Sequence, residues 1–469
     1  MKIQFYNSLT GKKEEFVPLV AKEAKIYCCG VTVYDLCHLG HARGAINFDV
    51  LRAFLKAEGY KVTFVKNYTD IDDKIIARAQ ESGQPWAALT EAMIEAHDQD
   101  MAALGVFPPD IAPKATQHIA EIIHMISDLL AKGFAYAAGG DIFFRVRSFL
   151  EYGKLSGKNL DDLISGSRVE VNEVKEDALD FALWKKAKPG EPSWQSPFGE
   201  GRPGWHIECS AMAKKYLGTH FDLHLGGSDL IFPHHENEIA QSECCHQEAF
   251  VNYWLHNGMV KIDAHKMSKS LGNFFTIREL LEKYHPELIR YFVLSSQYRA
   301  AVNFSEEAVE RGLEGLDRLY GALFKVEGET GSKPGRLGPQ SDVAKAYHQR
   351  FMEALADDLN TPMALAVLFE IAKDLNKGEL GAEGYWLLHD LSRILGLLED
   401  QPAHWFKSER IKTLKTGDLS NTQIEELIAQ RLAARLSKNW AQADQLRDQL
   451  SNAGILLIDR DGTTQWQRK

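Results

Sequence analysis

The sequence has no long apolar run and few cysteines. No stretch of about 18 consecutive apolar residues occurs in its 469 residues, which argues against a transmembrane helix, and its first residues lack the apolar run of a secretory signal. Six cysteines are too few for a disulfide framework in a chain of this length, so we expect reduced thiols, with a metal site as an option. Internal repeats and low-complexity tracts are also absent. These absences predict a cytoplasmic globular protein.

The composition that is present is typical of a globular protein with several domains. Hydrophobic residues make up 45% and charged residues 25% of the chain, and the length predicts roughly three domains at about 150 residues each. The net charge of -11 taken alone argues against a nucleic-acid partner. From Ala403 onward, however, 11 Lys and Arg stand against 8 Asp and Glu. Any contact with a polyanion should therefore favour this tail and local patches.

The first half of the chain alternates between short apolar runs and segments with helical spacing. This pattern predicts two βαβ units, and such units form a parallel sheet that binds its ligand at the carboxyl ends of the strands. The strand, helix and strand segments are 25–29, 41–58 and 61–66 in the first unit and 221–225, 233–245 and 250–255 in the second. Residues 188–204 hold four prolines and four glycines, so we expect irregular backbone that closes an insertion between the units.

Beyond about residue 277 the pattern becomes helical, with a Gly-, Ser- and Pro-rich loop predicted at 327–341. One tail helix should carry an apolar face formed by Ile424, Leu427, Ile428, Leu432 and Leu436. On another face, Arg431, Arg435 and Lys438 follow each other at i, i+4 and i+7. Such a basic stripe either faces solvent or contacts a polyanion, and the sequence leaves both readings open.

Two short motifs point to phosphate chemistry. His38-Leu39-Gly40-His41 follows a predicted strand and opens a helix, where two imidazoles and a glycine suit phosphate oxygens at the positive helix end. Lys266-Met267-Ser268-Lys269-Ser270 could place two ammonium groups on a polyphosphate leaving group. Each motif alone is also compatible with solvated loop residues.

A third motif has the spacing of metal ligands. Pro233 suits a helix start, and His234 and Glu238, four residues apart, would then share a helix face. Thiolates from Cys29 or Cys28 and from Cys209 would complete a zinc site with two sulfurs, one imidazole and one carboxylate. Because the cysteines are 180 positions apart, they could equally be buried apolar thiols.

Taken in order along the chain, the motifs resemble bacterial cysteinyl-tRNA synthetase, a class I aminoacyl-tRNA synthetase. They are Cys29–Asp35, His38–His41, Thr69–Lys74, Gly204–Ser210, Gly227–Leu230 running into Glu238, Lys266–Ser270, and the tail segments Ala443–Asp448 and Gly454–Ile455. Two departures are small: Leu39 replaces the usual isoleucine, and an extra cysteine, Cys28, precedes the expected one. In the family the zinc cysteine directly precedes the glycine, which makes Cys29 the ligand and leaves Cys28 to packing.

The resemblance implies an α/β fold, with a Rossmann-like parallel-sheet catalytic domain and an insertion, followed by a helical bundle and a small mixed C-terminal domain. The expected boundaries are 1–115 with 205–270 for the catalytic domain, 116–204 for the connecting insertion, 271–310 for a stem-contact segment that follows the lysine loop, 311–401 for the bundle and 402–469 for an anticodon-binding domain. The family is usually monomeric, so we expect a monomer.

The resemblance also implies a reaction. The carboxylate of L-cysteine attacks the α-phosphorus of ATP, pyrophosphate leaves, and the terminal ribose of tRNA(Cys) attacks the adenylate. His38, Gly40 and His41 would bind the phosphates, and Asp229 would contact the ribose of the adenosine. Lys266 and Lys269 would neutralise the pyrophosphate together with Mg²⁺.

Zinc would have a specific task in such an enzyme. Serine differs from cysteine by one atom, and a pocket without a metal rejects such near-isosteres by only about a hundredfold. A thiolate on zinc changes this, because a hydroxyl has a far higher pKa and is a poorer soft ligand. By the resemblance, Cys29, Cys209, His234 and Glu238 hold one Zn²⁺ per chain. Thr69 and Trp205 would line the cysteine pocket, with a strand-end hydroxyl and an ordinary core aromatic as the alternatives.

Two other functions remain open from the sequence. A related ligase joins cysteine to an amino-sugar and lacks the anticodon-binding tail, whereas this chain continues beyond Gln401 with a basic helix face. A non-enzymatic regulator that binds zinc and nucleotide would need no leaving-group lysines. Pyrophosphate exchange dependent on cysteine would exclude the regulator, and charging of tRNA would exclude the ligase. Within the tail, Arg431, Arg435 and Lys438 are the candidate tRNA contacts.

Overall fold

The computed structural model describes residues 1–159, 174–262, 265–266, 274–411, 419–460 and 463–468. These residues form two compact units. The first consists of Met1–Ile277, Ser296–Asn303 and Met352–Pro362, and the second of Arg278–Ser295, Phe304–Phe351 and Met363–Lys469. No helix in the described part of the chain is long and apolar enough to cross a membrane. The domain boundaries expected from the sequence stay predictions.

A four-stranded parallel sheet forms the centre of the first unit. Its strands are largely buried on both faces, as expected for parallel strands covered by helices, and across the sheet they follow the order 251–257, 221–227, 23–32 and 61–69. The bounds are β3 Glu23–Thr32, β4 Lys61–Thr69, β9 Phe221–Gly227 and β10 Val251–Asn257. The connecting helices are α1 Leu39–Ala57 and α6 Glu236–His246. Both predicted βαβ units are therefore confirmed.

Strand β3 contains an irregularity at its carboxyl end. Cys28 pairs with Lys66 of β4, but the next pair is Val31 with Tyr68, so β3 carries one extra residue there. A bulge of this kind bends the strand and changes the direction of its side chains. Cys29 and Gly30 occupy the bulge.

The remaining elements of the first unit surround this sheet. An antiparallel sheet of strands 135–138, 141–144, 181–186 and 201–203, in that order, lies in the predicted insertion, and its core includes Phe144, Leu183 and Trp184. The predicted irregular stretch 188–204 is confirmed except for the short strand β8. The strands are β1 Gln4–Asn7, β2 Lys12–Glu15, β5 Ala135–Ala138, β6 Asp141–Phe144, β7 Phe181–Lys186, β8 Gly201–Pro203, β11 Val260–Ile262, β12 His265–Lys266 and β13 Val302–Phe304. The helices are α2 Asp73–Ser82, α3 Trp86–Ala103, α4 Ile119–Ala131 and α5 Trp205–Leu217. Helix α7, Ile277–Lys283, has all but its first residue in the second unit.

The second unit is mainly helical, as predicted. Its longest described helix, Glu306–Thr330, continues past Val326, which is buried on the side of the helix that faces the core. The helix ends where Gly331 adopts a left-handed backbone conformation. The loop predicted to begin at 327 therefore begins at Gly331. The helices from this region onward are α8 Pro286–Leu294, α9 Glu306–Thr330, α10 Asp342–Ala356, α11 Thr361–Asn376, α12 Gly381–Ile394, α13 Pro402–Lys407, α14 Asn421–Leu436 and α15 Trp440–Asn452.

The end of the chain pairs helices α14 and α15 with a hairpin of β14 Ile455–Arg460 and β15 Thr463–Arg468. The apolar face predicted for α14 is only partly right. Ile424 and Ile428 are buried against Trp466, but Leu436 is 80% exposed. The hairpin covers the face of α14 that includes Arg431. The periodicity of the sequence alone does not reveal that this face is covered.

Candidate active site and metal centre

A cavity of about 950 Å³ opens at the carboxyl ends of the parallel strands, where a doubly wound sheet binds its ligand. It is lined by residues from β3, from the start of α1, and from the loop that follows β9. The cavity includes six residues predicted from the sequence: Cys29, His38, Gly40, His41, Trp205 and Asp229. The fold thus brings the phosphate motif and part of the amino-acid motif to one place.

His38 and His41 cap helix α1. His38 is the N-cap residue, and its Nδ1 accepts a hydrogen bond from the Gly40 N–H at 3.0 Å. In return, His41 Nδ1 accepts from the His38 N–H at 3.3 Å, and the two rings stack with centroids 3.8 Å apart. This reciprocal pattern is a capping box built from imidazoles, and it fixes both rings at the positive end of the helix.

The environment keeps both imidazoles neutral. Burial lowers the pKa of His38 to about 4, and burial together with the neighbouring His38 lowers the pKa of His41 well below its usual value. Because each Nδ1 accepts a backbone N–H, the ring proton must be on Nε2. Each histidine therefore has an Nε2–H that can donate to an anionic oxygen without carrying a charge itself.

Trp205 forms a wall of the cavity and is not a core residue. It is the first residue of α5, is 36% exposed, and stacks on His234 with ring centroids 4.3 Å apart. The alternative of an ordinary core aromatic is therefore excluded by its exposure.

The four predicted metal ligands converge beside this cavity. Their ligand atoms all lie within 4.8 Å of one another. Cys29 is in β3, Cys209 is in α5, His234 lies just before α6, and Glu238 is in its first turn. The Cys29 and Cys209 sulfurs are 3.8 Å apart. Cys209 Sγ lies 3.6 Å from His234 Nε2, which is 3.0 Å from Glu238 Oε1.

These distances fit a tetrahedral metal ion. With Zn–S bonds of about 2.3 Å and Zn–N bonds of about 2.0 Å, two sulfurs lie about 3.8 Å apart and a sulfur and a nitrogen about 3.5 Å apart. The donor set of two thiols, one imidazole and one carboxylate is also one that zinc prefers. The residues therefore fit a zinc ion in both geometry and chemistry. Cys28 is not part of this cluster, and burial raises the pKa of its thiol to about 11.

The sequence did not predict the layer of histidines behind the ligands. His206 Nδ1 lies 2.8 Å from His234 Nδ1, and His224 Nε2 lies 2.9 Å from Glu238 Oε2. His235 contacts Cys29 Sγ at 3.3 Å and His256 at 2.7 Å. Such outer groups orient a metal ligand by hydrogen bonding to the ring nitrogen or carboxylate oxygen that does not bind the metal. The only sequence signal was the presence of histidines on the buried strands β9 and β10.

A second combination of Cys29, His224, His235 and Glu238 also lies within ligand distance. It shares two members with the first combination but contains one sulfur instead of two. Zinc favours the softer set with two thiolates, which leaves His224 and His235 as hydrogen-bonding partners of the ligands.

The charges in this cluster are mutually dependent. Burial raises the pKa of Glu238, but His224 and His234 outweigh burial and lower this pKa well below its usual value. The hydrogen bond with Cys29 lowers the pKa of the Cys209 thiol to about 6, whereas burial raises the pKa of Cys29 well above its usual value. The surroundings thus favour the ionised form of Glu238 and make the Cys209 thiol more acidic than the Cys29 thiol.

Thr69 lies deeper than a pocket residue. Its side chain is buried, and its hydroxyl donates to Glu208 Oε2 at 2.9 Å. Glu208 is fully buried, and burial raises the pKa of its carboxyl well above the usual value. The expected contact of Thr69 with the amino acid stays a prediction, and no spacing pattern indicated a role for Glu208.

The lysine loop lies at the limit of what the structure describes. Lys266 contributes backbone to β12, paired with Lys261 of β11, while its side chain lies outside the described residues, as does all of Lys269. Their roles stay predictions.

The basic stripe of α14 differs from the sequence prediction. Arg431 is only 8% exposed, and its guanidinium donates to both carboxylate oxygens of Asp459 at 3.0 and 2.8 Å. The hairpin covers this side chain, so the solvent-facing reading of the stripe is wrong for Arg431, and its contact with tRNA stays a prediction. Arg435 is exposed but also donates to Asp459, and Lys438 is exposed beyond the helix end.

Three family models match the chain in succession. A model described as the catalytic domain of class I (C) tRNA synthetases matches residues 15–314. A DALR domain matches residues 350–399, and a domain described as the cysteinyl-tRNA ligase anticodon-binding domain matches residues 417–466.

Curated proteins match over the whole length. A cysteine–tRNA ligase from Thioalkalivibrio sulfidiphilus is 51% identical and covers 99% of this chain and 100% of its own. One from Methylococcus capsulatus is also 51% identical over 100% of both chains, and one from Francisella tularensis subsp. novicida is 51% identical over 99% of both.

Solved structures share the fold at low sequence identity. A methionyl-tRNA synthetase from Mycobacterium tuberculosis in complex with methionyl-adenylate matches with a TM-score of 0.61 and 16% identity, over 86% of this chain and 95% of its own. A ternary LeuRS–tRNA–LeuAMS complex from Agrobacterium radiobacter K84 matches with a TM-score of 0.58 and 11% identity, over 82% and 87%. These likenesses support the Rossmann-like architecture and nothing finer.

Proposed function

This chain belongs to the cysteinyl-tRNA synthetase family, and on that basis we propose that it attaches L-cysteine to tRNA(Cys) in two steps. The cysteine carboxylate first attacks the α-phosphorus of ATP, forming cysteinyl-adenylate and releasing pyrophosphate. A hydroxyl of the terminal ribose of the tRNA then attacks the adenylate carbonyl, and AMP leaves. No side chain acts as a covalent nucleophile in this scheme, so the protein contributes positioning and electrostatic stabilisation.

The cap of α1 binds the triphosphate. The Nε2–H groups of His38 and His41 donate to phosphate oxygens, and Gly40 allows the phosphates to approach the helix start. Neutral imidazoles suit this role because they stabilise the negative charge that develops during attack without requiring a proton uptake when ATP binds. Asp229, on the cavity wall, accepts from the adenosine ribose.

The two loop lysines act on the leaving group. Lys266 and Lys269 bring two ammonium groups to the departing pyrophosphate, where charge accumulates in the transition state. A bound Mg²⁺ would supply further charge neutralisation on the phosphates.

The metal cluster selects the amino acid. Cys29, Cys209 and His234 are the firm ligands, and Glu238 is the more yielding one, which leaves room for a substrate sulfur. A bound Zn²⁺ would supply a soft Lewis-acid site that accepts the thiolate of cysteine and discriminates against the hydroxyl of serine. Trp205 stacks on His234 and closes one side of the space available to the amino acid.

One observation carries this proposal: the thiols of Cys29 and Cys209 meet His234 and Glu238 at metal-binding distances, next to the histidine cap of α1. A binding protein for nucleotides would need only the cap. The combination of a soft-metal site with a triphosphate site is what activation of a thiol-containing amino acid requires.

Two assays test the proposal in order. Exchange of labelled pyrophosphate into ATP, measured without tRNA, should depend on L-cysteine and not on L-serine, because the first step needs only the cavity and the metal. Charging of a tRNA(Cys) transcript should then follow. Exchange without charging would point to the amino-sugar ligase, and absence of exchange at full metal occupancy would contradict the proposal.

A substitution at the metal site tests the role of the cluster. Cys209→Ser should lose zinc and raise the KM for cysteine far more than the KM for ATP, because only the amino acid contacts the ion. The metal content is measured alongside the kinetics. Unchanged cysteine kinetics in a zinc-free Cys209→Ser enzyme would contradict amino-acid selection by the metal.

We also propose that the enzyme acts as a monomer and that Arg435 and Lys438 contact the tRNA. The match to an anticodon-binding domain over residues 417–466 supports a tRNA contact in this part of the chain. Arg431 is a weaker candidate for such a contact because its guanidinium is buried and donates to both oxygens of Asp459, whereas Arg435 is exposed and makes one bond to the same carboxylate.

A further inference from the structure

A buried chain of hydrogen bonds connects the neighbours of the two cysteine ligands. Gly30, directly after Cys29, donates its backbone N–H to Asn67 Oδ1 at 2.9 Å. Asn67 Nδ2 donates to Thr69 Oγ1 at 3.4 Å, and Thr69 Oγ1 donates to Glu208 Oε2 at 2.9 Å. Glu208 directly precedes Cys209. These hydrogen bonds therefore connect one thiol ligand to the other by way of β4, a strand that contains neither cysteine.

The three side chains of this chain are almost fully inaccessible to solvent. Asn67 is 1% exposed, Thr69 is 2% exposed and Glu208 is 0% exposed. Polar groups buried to this degree are costly unless they bond to one another, so their geometry is tightly constrained. Asn67 Oδ1 also lies 3.8 Å from Cys209 Sγ, which makes a second, direct approach to the same ligand.

Packing leaves little freedom for this arrangement to shift. A Cβ atom on Gly30 would lie 1.5 Å from the backbone oxygen of Asn67, so the two strands are in close contact where the bulge of β3 meets β4. The Gly30 amide can therefore reach Asn67 Oδ1 only in the present register. Helix α5 approaches from the other side, and among the described residues Glu208 Oε1 has no hydrogen-bond partner, which leaves Thr69 as the partner that fixes this carboxyl group.

We propose that Asn67, Thr69 and Glu208 are positioning residues that set the separation of the Cys29 and Cys209 thiols for metal binding. This inference rests on the proposed function, because it assumes that the cluster binds zinc. It assigns Thr69 a role different from the pocket contact expected from the family resemblance: the hydroxyl acts through the metal ligands and does not touch the amino acid.

The physical reason is the steep dependence of metal affinity on ligand placement. The two thiols come from elements 180 residues apart, and the ion gains its full affinity only if their sulfurs stay near 3.8 Å. Loss of the Thr69–Glu208 bond would allow α5 to rotate or withdraw, and replacement of outer groups around metal ligands typically weakens binding by about 10- to 100-fold.

The test measures metal affinity directly in the full chain. Zinc affinity is obtained by competition with a chromophoric chelator, and Co²⁺ absorption reports the number of thiolates bound. The disruptive variants are Thr69→Val and Glu208→Ala, and the conservative ones are Thr69→Ser and Glu208→Gln, which keep a hydroxyl donor and an acceptor oxygen. Thr90→Val is the matched control, because Thr90 is a buried threonine whose hydroxyl donates to Ala87 within its own helix.

We expect Thr69→Val and Glu208→Ala to bind zinc about 10- to 100-fold more weakly than the unmodified protein, with reduced thiolate-to-Co²⁺ absorption. Thr69→Ser and Glu208→Gln should stay within about threefold, since they restore the hydrogen bond, and so should Thr90→Val. With excess zinc, Thr69→Val should regain the KM for cysteine of the unmodified enzyme. Circular dichroism identifies variants that fail to fold. If Thr69→Val or Glu208→Ala does not fold, the zinc affinities of Thr69→Ser and Glu208→Gln test the inference instead.

Two results would overturn the inference. Unchanged zinc affinity with a raised KM for cysteine at full metal occupancy would mean that Thr69 contacts the substrate. Loss of affinity in Glu208→Gln equal to that in Glu208→Ala would mean that the hydrogen bond is not what matters. Failure of the unmodified protein to bind zinc at all would instead refute the proposed function, so the two failures are distinguishable.

Discussion

Gly30 occupies a position that has no room for a side chain unless the neighbouring backbone shifts. It lies in the bulge of β3, and a Cβ atom there would overlap the Asn67 backbone oxygen at 1.5 Å. We predict that Gly30→Ala lowers the free energy of unfolding by about 3 kcal/mol or more, because β3 and β4 must separate to admit the methyl group. Urea unfolding followed by circular dichroism measures the change.

Gly335→Ala provides the control for this substitution, since a Cβ atom at Gly335 meets nothing within 4 Å. It should change the unfolding free energy by no more than about 0.5 kcal/mol. Equal effects of the two substitutions would show that the overlap at Gly30 is relieved without cost.

Buried histidines make stability dependent on pH, and His38 and His246 are two of them. Burial lowers the pKa of His38 and of His246 to about 4, from 6.5 in the unfolded chain. Between about pH 4 and 6.5 the unfolded state thus binds more protons than the folded state, and the free energy of unfolding rises with pH across this window. We predict that stability falls as the pH decreases from 7 to 5, measured by urea unfolding at both pH values.

The contribution of His246 can be isolated. Its Nε2 is buried and, within the described part of the chain, has no hydrogen-bond partner. His246→Gln removes one group that resists protonation, so the loss of stability between pH 7 and pH 5 should become smaller. An unchanged pH dependence would assign the effect to other groups.

At the scale of single residues, the sequence predicted which residues belong to the candidate site better than it predicted how deeply each one is buried. Cys29, Cys209, His234 and Glu238 could be named because the motifs resemble a known family, and only two of them share a spacing that indicates a common face. Thr69 was expected in the pocket wall, which stays a prediction, and its hydroxyl donates to the buried Glu208. Such a contact joins residues 139 positions apart, and no local pattern encodes it.

Helix α1 depends on one buried cation as well as on its cap. Arg43 is fully buried, and its guanidinium donates to the backbone oxygens of Gly258 at 2.7 Å, Met259 at 3.0 Å and Tyr298 at 3.2 Å, and also to that of Ala300. The residue thereby connects α1 to the segment between β10 and β11. This segment leads to the lysine loop.

Arg43→Lys should therefore be far from conservative. A lysine ammonium is a compact group and cannot reach all of these carbonyl oxygens, so several lose their partner. We expect a loss of about 2–4 kcal/mol in unfolding free energy, measured by chemical denaturation. Arg78→Lys, at an exposed pair with Glu81, should change it by less than about 0.5 kcal/mol; a similar small effect at Arg43 would contradict the connecting role.

Secondary-structure elements were predictable where apolar periodicity was strong. The strands and helices of both βαβ units follow from short apolar runs and helical spacing, and the structure confirms them. The face of α14 was not predictable, because periodicity shows that a helix has two faces but not which one a later hairpin covers. The ion pair of Arg431 with Asp459 therefore emerged only from the fold.

On the scale of the whole molecule, the acidic net charge restricts where tRNA can bind. The chain carries -11, yet Arg435 and Lys438 are exposed on the tail. We predict that the double substitution Arg435→Gln with Lys438→Gln reduces the slope of log affinity against log salt by about 1.4, since each phosphate contact with a single strand contributes about 0.7. A salt titration of tRNA(Cys) binding measures the slope.

The matched control removes two exposed charges from the first unit, Lys2→Gln with Arg78→Gln. Its salt slope should equal that of the unmodified protein. If both double variants keep the original slope, Arg435 and Lys438 face solvent and the tRNA contacts lie elsewhere.

The placement of the four metal ligands along the chain has a consequence for biosynthesis. Cys29 is made early, but Glu238 is made only when half of the 469 residues have been added. Cys29 therefore emerges from the ribosome long before all four ligands are present. An ion held by all four could not act as a nucleus around which the nascent chain folds. Metal uptake would have to follow the synthesis of Glu238, so a bound ion would mark a chain whose four candidate ligands have come together, and its binding to the folded state would then oppose unfolding.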